Sequence, residues 1–236
     1  ALLSGDVDFI SPVPPQDFNR IEKDNKLKLV MINGGRIITF QMNQKRRPEF
    51  RVKKVRQAIV HAVNNAGIVK KIMKNKATLA AQQGPEGYAG YKASLTPRYD
   101  LKKAKALMKE AGFANGFEIT MMAPNNRYVN DAKIAEATAQ MLGKIGIRVK
   151  LKTMPKAQYW NEFDARAADM MMIGWHSDTE DSGNFSEFLM MCENKETGYG
   201  QYNSGYCNAE VDRLVIAAQS ETDLAKRAKI LQEVEQ

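Results

Sequence analysis

The spacing of apolar residues predicts alternating helices and strands over the middle of the chain. From residue 100 onward, segments with helical and strand-like periodicity follow one another in the order α-β-α-β-α-β. We predict helices over 100–112 and 130–145 and from 155 onward, with Asp100, Asn130 and Pro155 at their starts, and strands over 117–122, 147–153 and 170–175. Because helical connections favour parallel strands, and residues 170–173 are apolar without alternation, the pattern predicts an α/β fold whose sheet is covered by helices on both faces.

The first hundred residues give weaker signals. A short helix through residue 21 is followed by two strand-like runs, 26–32 and 36–42, which we expect to form a hairpin or two consecutive strands around Asn33-Gly34-Gly35. Two helices then follow, the first with its apolar face spaced over 52–63.

Both ends of the chain have the pattern of helices cut short. Residues 1–4 resemble the last turn of a helix closed by Gly5, and an amphipathic helix over 224–236 reaches the last residue without a cap. Asn208 and Thr222 are the caps that we predict for the two last helices. We therefore expect this chain to be a piece of a larger protein.

Composition excludes disorder and membrane insertion. Of the 236 residues, 44% are hydrophobic, which is enough for one sizeable core or two small ones. No apolar run approaches the roughly 20 residues that a membrane-spanning helix needs, and the mean hydropathy is −0.46, so we expect a soluble protein.

The charge pattern raises the possibility of a nucleic-acid binder. The net charge is +8, and residues 36–76 alone hold 12 basic residues against one acid, Glu49. This segment lacks interleaved aromatic residues for base stacking, and its helix must bury its apolar face. We therefore favour a solvated basic surface and expect no nucleic-acid partner.

The segment from Trp175 to Asp181 is the main candidate for chemistry, because it directly follows a buried strand. Ligands of α/β sheets bind at the carboxyl ends of strands. Its carboxylates suit an ammonium group or a metal, or acid and base roles in a hydrolase that would use His176, Asp178 and Asp181. The same residue types also mark the start of a helix before Phe185. The chain has no nucleophile elbow, HExxH, GxGxxG or phosphate-binding loop, so no enzyme class, cofactor or resident metal is indicated.

Two cysteines, Cys192 and Cys207, bracket a polar, glycine-rich loop. Two cysteines without a CxxC pair are too few for a zinc site. They are either two reduced cysteines or a disulfide that closes the loop, and we favour the disulfide, which implies an oxidising compartment. A nucleophile pair of Cys192 and His176 would be lost if the disulfide forms.

A series of short motifs follows in a fixed order along essentially the whole chain. The motifs are Gly5-Asp6-Val7-Asp8, Thr39-Phe40-Gln41-Met42-Asn43, Arg51-Val52-Lys53-Lys54-Val55-Arg56-Gln57-Ala58-Ile59, Ile145-Gly146-Ile147, and the segment from Gly174-Trp175 to Asn184-Phe185. Each motif alone is short, but the ordered series resembles the family-5 extracellular solute-binding proteins of ABC importers, most closely their dipeptide- and oligopeptide-binding members.

The resemblance implies a periplasmic-binding-protein-like lobe of type II with a mixed sheet. Members have two α/β lobes that close over a ligand, so residues 1–30 are expected to be a strip of the N-terminal lobe approaching the hinge. Residues 31–236 would be the C-terminal lobe, ending before the chain crosses back. A peptide ligand, a membrane permease, a periplasmic or membrane-anchored extracellular location and a monomeric full-length protein are also implied.

Individual site residues follow from the same resemblance. Asp178 matches the aspartate that binds the peptide's α-amino group after the Gly174-Trp175 pair, and Arg127 matches the arginine that binds the α-carboxylate. We expect Asp178 to be a buried carboxylate. Similar members of the family also carry a cysteine pair that matches Cys192 and Cys207.

The sequence departs from the family pattern in two places near this site. Ser182 follows Asp181 where the family usually has proline, and the segment 164–169 is shortened. Because the family also includes binders of metal chelates, haem and sugars, a non-peptide ligand remains an alternative.

Overall fold

The computed structural model describes all 236 residues as a four-stranded mixed sheet with nine α-helices. The strands are β1 (Ile37–Met42), β2 (Phe117–Pro124), β3 (Ile147–Met154) and β4 (Met170–Trp175). The helices are α1 (Phe18–Glu22), α2 (Lys53–Ala62), α3 (Asn65–Lys71), α4 (Leu101–Glu110), α5 (Asp131–Gly143), α6 (Lys156–Asp164), α7 (Gly183–Leu189), α8 (Ala209–Ser220) and α9 (Leu224–Val234).

The strand order β1-β4-β2-β3 brings the ends of four strands to one edge of the sheet. β2 pairs in parallel with both β3 and β4, whereas β1 runs antiparallel to β4, with Ile37 opposite Trp175 and Met42 opposite Met170. The carboxyl ends of β2, β3 and β4 therefore lie beside the amino end of β1. We call this the ligand edge of the sheet.

Helices cover both faces of the sheet, which confirms the predicted α/β fold class. Met170 and Met172 of β4 pack on one face in a core shared with α2, α4 and α5, while Met171 and Ile173 pack on the other face with α6 and α7. All four side chains are buried. The unalternated apolar run is thus explained by a central strand with two covered faces.

The predicted helix starts agree with the structure to within one residue, but two of the predicted side-chain caps do not form. Asp100 and Asn208 accept backbone N–H bonds as N-caps, as expected. Asn130 has a positive φ of 56° and instead donates its side-chain amide to Ile72 O. Asp223, and not Thr222, caps α9, because its carboxylate accepts from the N–H groups of Ala225 and Lys226.

The predicted pair of strands, as a hairpin or as two consecutive strands, is wrong. Only its second half is a strand, β1, while residues 26–32 have no regular structure. Val30 and Ile32 are 71% and 89% exposed, so this apolar run has no neighbouring strand or core to pack against. Apolar composition alone does not form a strand without a partner.

No helix in the structure combines the length and the apolar character that crossing a bilayer requires.

The division into a strip of the N-terminal lobe, residues 1–30, and a C-terminal lobe, residues 31–236, stays a prediction.

Candidate ligand-binding site

Three segments meet at the ligand edge and carry the predicted site residues. Arg36 directly precedes β1, the turn 125–130 follows β2, and the loop 176–182 follows β4. Arg127, Gly174 and Trp175 lie in or beside these segments, as does Asp178. The sheet topology therefore gathers residues that are far apart in sequence.

A buried carboxylate fixes the turn that carries Arg127. Asp131, 2% exposed, accepts from the backbone N–H groups of Arg127 at 2.8 Å, Tyr128 at 2.9 Å and Ala132 at 2.9 Å. These bonds begin α5 without the predicted Asn130 cap and hold the turn rigidly. The side chain of Arg127 is exposed, and its guanidinium carbon lies 5.0 Å from the centroid of the Tyr128 ring.

Tyr128 connects this turn to Gly174. The backbone N–H of Gly174 donates to the Tyr128 hydroxyl at 2.8 Å. A Cβ added at Gly174 would lie 2.7 Å from Tyr128 Cε1 and 2.6 Å from Ile38 Cδ1, so only glycine allows the ring to pack here. Burial raises the pKa of the Tyr128 hydroxyl, which therefore keeps its proton at neutral pH.

Trp175 is half-buried in an aromatic cluster beside the site. Its indole N–H donates to Asn184 Oδ1 at 2.8 Å, and its ring centroid lies 5.1 Å from those of both Phe188 and Tyr202. Tyr202 belongs to the loop that the cysteines close. Cys192 and Cys207 are disulfide-bonded, as predicted, with their Cα atoms 4.4 Å apart.

Asp178 is not the buried carboxylate that we expected. Its side chain is 88% exposed, and its Oδ1 lies 3.3 Å from Nδ1 of the exposed His176. The loop turns outward here, since Ser177 points inward and its hydroxyl forms a 2.9 Å hydrogen bond with that of Thr179. Asp178 is accessible from solvent in this chain.

Asp181 has a structural role. It is 6% exposed, its Oδ2 accepts from Arg227 Nε of α9 at 2.6 Å, and its Oδ1 accepts from the N–H of Gly183 at 2.6 Å. Both of its oxygens already accept hydrogen bonds, so Asp181 is not free to act with His176 and Asp178 in the hydrolase arrangement.

The 176–182 loop is also fixed by the segment 84–91. Ala89 N–H donates to Glu180 O at 3.1 Å, and Ser182 N–H donates to Ala89 O at 2.9 Å. A proline at 182, which the family resemblance leads us to expect, would have no N–H to make the second bond. The departure at Ser182 thus adds an attachment for the loop.

A cavity of about 1760 Å³ adjoins the ligand edge. Arg36, Arg127 and Tyr128 line it, whereas Gly174, Trp175 and Asp178 do not. The predicted site residues therefore fall into two neighbouring groups, which are joined through the contact of Tyr128 with Gly174.

Sequence reasoning missed Arg36 and Arg227. Arg36 is one of many basic residues in a basic segment, and Arg227 lies in an amphipathic helix among other charged residues. Neither position has a local pattern that separates it from a solvated surface residue. The family motifs do not include them either.

The fold is that of periplasmic binding proteins. Residues 1–197 match the middle region of the bacterial extracellular solute-binding proteins, family 5, and the chain belongs to this family.

Individual relatives are similar over nearly the whole chain. The dipeptide-binding protein of Escherichia coli K12 is 31% identical over 235 residues, which cover 96% of this chain and 43% of that protein. The periplasmic binding protein DppA of Helicobacter pylori, solved with the peptide STSA, is 25% identical, with a TM-score of 0.82, over 100% of this chain and 45% of its own. AgaA of Agrobacterium tumefaciens, solved with agropinic acid, is 28% identical, with a TM-score of 0.83, over 100% of this chain and 48% of its own. The chain therefore spans somewhat less than half the length of these relatives.

Proposed function

We propose that the full-length protein is the substrate-binding component of an ABC importer, which captures a peptide between two lobes and delivers it to a membrane permease. The observation that carries this proposal is the convergence of an exposed arginine, Arg127, and an exposed aspartate, Asp178, at one edge of the sheet in a chain of this family. The relatives named as peptide binders support the peptide class.

The chemistry of the two residues suits the two ends of a peptide. A carboxylate binds an ammonium group, and a planar guanidinium binds a carboxylate, through charge-assisted hydrogen bonds. Neither contact depends on the peptide's side chains. A second lobe closing over Asp178 would exclude water from this exposed carboxylate and strengthen its contact with the ammonium group.

The protein is proposed to bind and not to turn over its ligand. Its family consists of binding proteins, and the carboxylate of Asp181 forms an ion pair with Arg227. We propose that it acts outside the cytoplasm, in the periplasm or anchored at the cell surface, and as a monomer. The Cys192–Cys207 disulfide is consistent with an oxidising compartment.

Calorimetry on the full-length protein tests the two end contacts. We expect Asp178→Ala to weaken binding of a free dipeptide by about 2 to 5 kcal/mol while changing little for its N-acetylated form, because acetylation already removes the ammonium group. Arg127→Ala should behave in the same way toward C-terminal amidation. Wild-type affinity that is unchanged by N-acetylation would rule out Asp178 as the amino-group contact.

A non-peptide ligand is the second candidate. It is favoured by the similarity to AgaA, which was solved with agropinic acid. Native mass spectrometry of the full-length protein, purified with its ligand retained, distinguishes the two candidates by the mass of the bound molecule.

A further inference from the structure

Arg36 lies at the ligand edge and has no assigned role. It precedes Ile37, the first residue of β1, which pairs with Trp175 at the end of β4. Its guanidinium Nη1 donates to the carbonyl oxygen of Gly174 at 3.0 Å. A guanidinium has five N–H donors, so this bond leaves the rest of the group available to a ligand.

Arg36 and Arg127 both lie near Tyr128. The Tyr128 hydroxyl lies 3.5 Å from Gly174 O, the atom that Arg36 binds, and the guanidinium carbon of Arg127 lies 5.0 Å from the Tyr128 ring. Both positive charges act to lower the pKa of the Tyr128 hydroxyl, although burial outweighs them. Two guanidinium groups are therefore held close to one hydroxyl at the wall of the cavity.

Neither arginine has an acidic partner in the protein. No carboxylate oxygen lies within 4.0 Å of a guanidinium nitrogen of Arg36 or Arg127, whereas Arg46, Arg47, Arg213 and Arg227 each have an acidic partner.

The acid that faces Tyr128 does not supply this missing partner. Asp131 is buried, and its two oxygens already accept from three backbone N–H groups. Two unpaired like charges at one place repel each other, and an anion between them removes that cost.

We propose that Arg36 is a second ligand contact, and that Arg36 and Arg127 together bind a ligand end that carries two carboxylates, as in a peptide whose last residue is aspartate or glutamate. This inference rests on the proposed peptide-binding function. One carboxylate neutralises one guanidinium, so the α-carboxylate and an acidic side chain together match both arginines.

The preference for an acidic last residue is the quantity to measure. With full-length protein, calorimetry compares Ala-Glu with Ala-Gln, two dipeptides of nearly the same shape that differ in one charge. We expect wild type to prefer Ala-Glu by about tenfold, the value of one charge-assisted hydrogen bond, and Arg36→Gln to lose that preference. Arg36→Lys keeps the charge and should retain part of it.

Arg98→Gln is the matched control. Arg98 lines the same cavity, and its substitution removes the same charge, but it lies before α4 and forms no hydrogen bond with Gly174 or Tyr128. The Arg98→Gln variant should keep the wild-type preference for Ala-Glu. This result would distinguish a direct contact of Arg36 with the ligand from a general change in the electrostatic potential of the cavity. Thermal unfolding of each variant reports any loss of fold, and Arg36→Lys provides the comparison if Arg36→Gln is unstable.

Each outcome bears on the proposal. A wild-type protein without the preference, or an Arg36→Gln variant that keeps it, overturns the role of Arg36 even if peptides bind. If no peptide binds wild type but a non-peptide dicarboxylate such as glutarate does, and Arg36→Gln abolishes that binding, the arginine pair stands and the peptide function fails. A wild type that binds neither class overturns both.

Discussion

At the residue scale, Gly174 shows how one missing side chain shapes the site. An added methyl group would overlap Tyr128 and Ile38 at 2.7 Å and 2.6 Å. We predict that Gly174→Ala destabilises the protein by about 1 to 3 kcal/mol, as overpacking does in a tight core, and displaces Tyr128. Urea unfolding measures the loss of stability.

Gly143 provides the control for that substitution. It is the last residue of α5, it is exposed, and a Cβ there meets nothing within 4 Å. Gly143→Ala should stabilise the protein by up to about 1 kcal/mol, because alanine loses less conformational freedom in a helix. Equal destabilisation by both substitutions would contradict the packing role of Gly174.

Glu235 provides a residue-scale prediction for pH. Its carboxylate accepts from the N–H groups of Gln83 and Gly84, both at 2.9 Å, and burial raises its pKa above the ordinary 4.5. Because the folded state then binds the proton more tightly than the unfolded state, the contribution of Glu235 to stability is full below pH 4.5 and falls as pH rises through the raised value.

The Glu235→Gln variant isolates this contribution. We predict that the stability of wild type relative to Glu235→Gln decreases as pH rises from 4.5 toward neutrality. Urea unfolding at a series of pH values measures the difference. A difference that stays constant, or that grows in favour of wild type, would refute the assignment.

At the element scale, the Asp181–Arg227 pair holds α9 against the loop that presents Asp178. The side chains of Asp181 and Arg227 are only 9% and 21% exposed. We predict that Arg227→Ala costs about 2 to 4 kcal/mol, because it leaves a buried carboxylate without its cation. Arg213→Ala breaks an exposed pair with Glu210, with side chains 63% and 61% exposed, and should cost less than about 1 kcal/mol.

A similar cost for the two arginine variants would mean that the Asp181–Arg227 pair is not desolvated as the structure has it. Chemical denaturation of both variants at neutral pH makes the comparison. A larger loss in Arg227→Ala would also predict weaker N-terminal recognition of peptides, since the 176–182 loop is attached through Asp181.

The elements also show why sequence reasoning succeeded in one half of the chain and failed in parts of the other. β2, β3 and β4 and their helices have caps, periodicity and a shared core, so local pattern and tertiary packing agree. Residues 26–32 have the apolar composition of a strand, but strand formation depends on a partner that composition does not reveal. Asp131 displaced the predicted Asn130 cap because its carboxylate reaches backbone groups on both sides of the helix start.

From the sequence, only the site residues that belong to family motifs could be predicted. Gly174, Trp175, Asp178 and Arg127 were selected through family motifs, and the structure brings their segments to one edge of the sheet. The exposure of Asp178 and the contacts of Arg36 depend on tertiary structure, and the spacing of residues along the sequence does not predict them.

At the scale of the whole molecule, the chain has hydrophobic cores on both faces of its sheet, but it also has exposed apolar side chains near its start. Phe9, Val30 and Ile32 are 80%, 71% and 89% exposed, and all three lie in the first 32 residues. In the two-lobe architecture that the resemblance implies, we predict that residues 1–30 and the segment directly after them lie next to the other lobe. The cores of the sheet and its helices do not include this segment, since they consist of buried residues from Phe50 onward with side chains of β1 packed against them.

We therefore predict that the 236-residue chain unfolds cooperatively but binds dipeptides more weakly than about 1 mM. The relatives that it matches are more than twice its length, and a two-lobed binder gains affinity when it closes over its ligand and expels water. Calorimetry with di- to pentapeptides, run beside the full-length protein as the positive control, measures the difference. Micromolar binding by this chain alone would show that one lobe carries the whole site, and closure between two lobes would then not be the source of affinity.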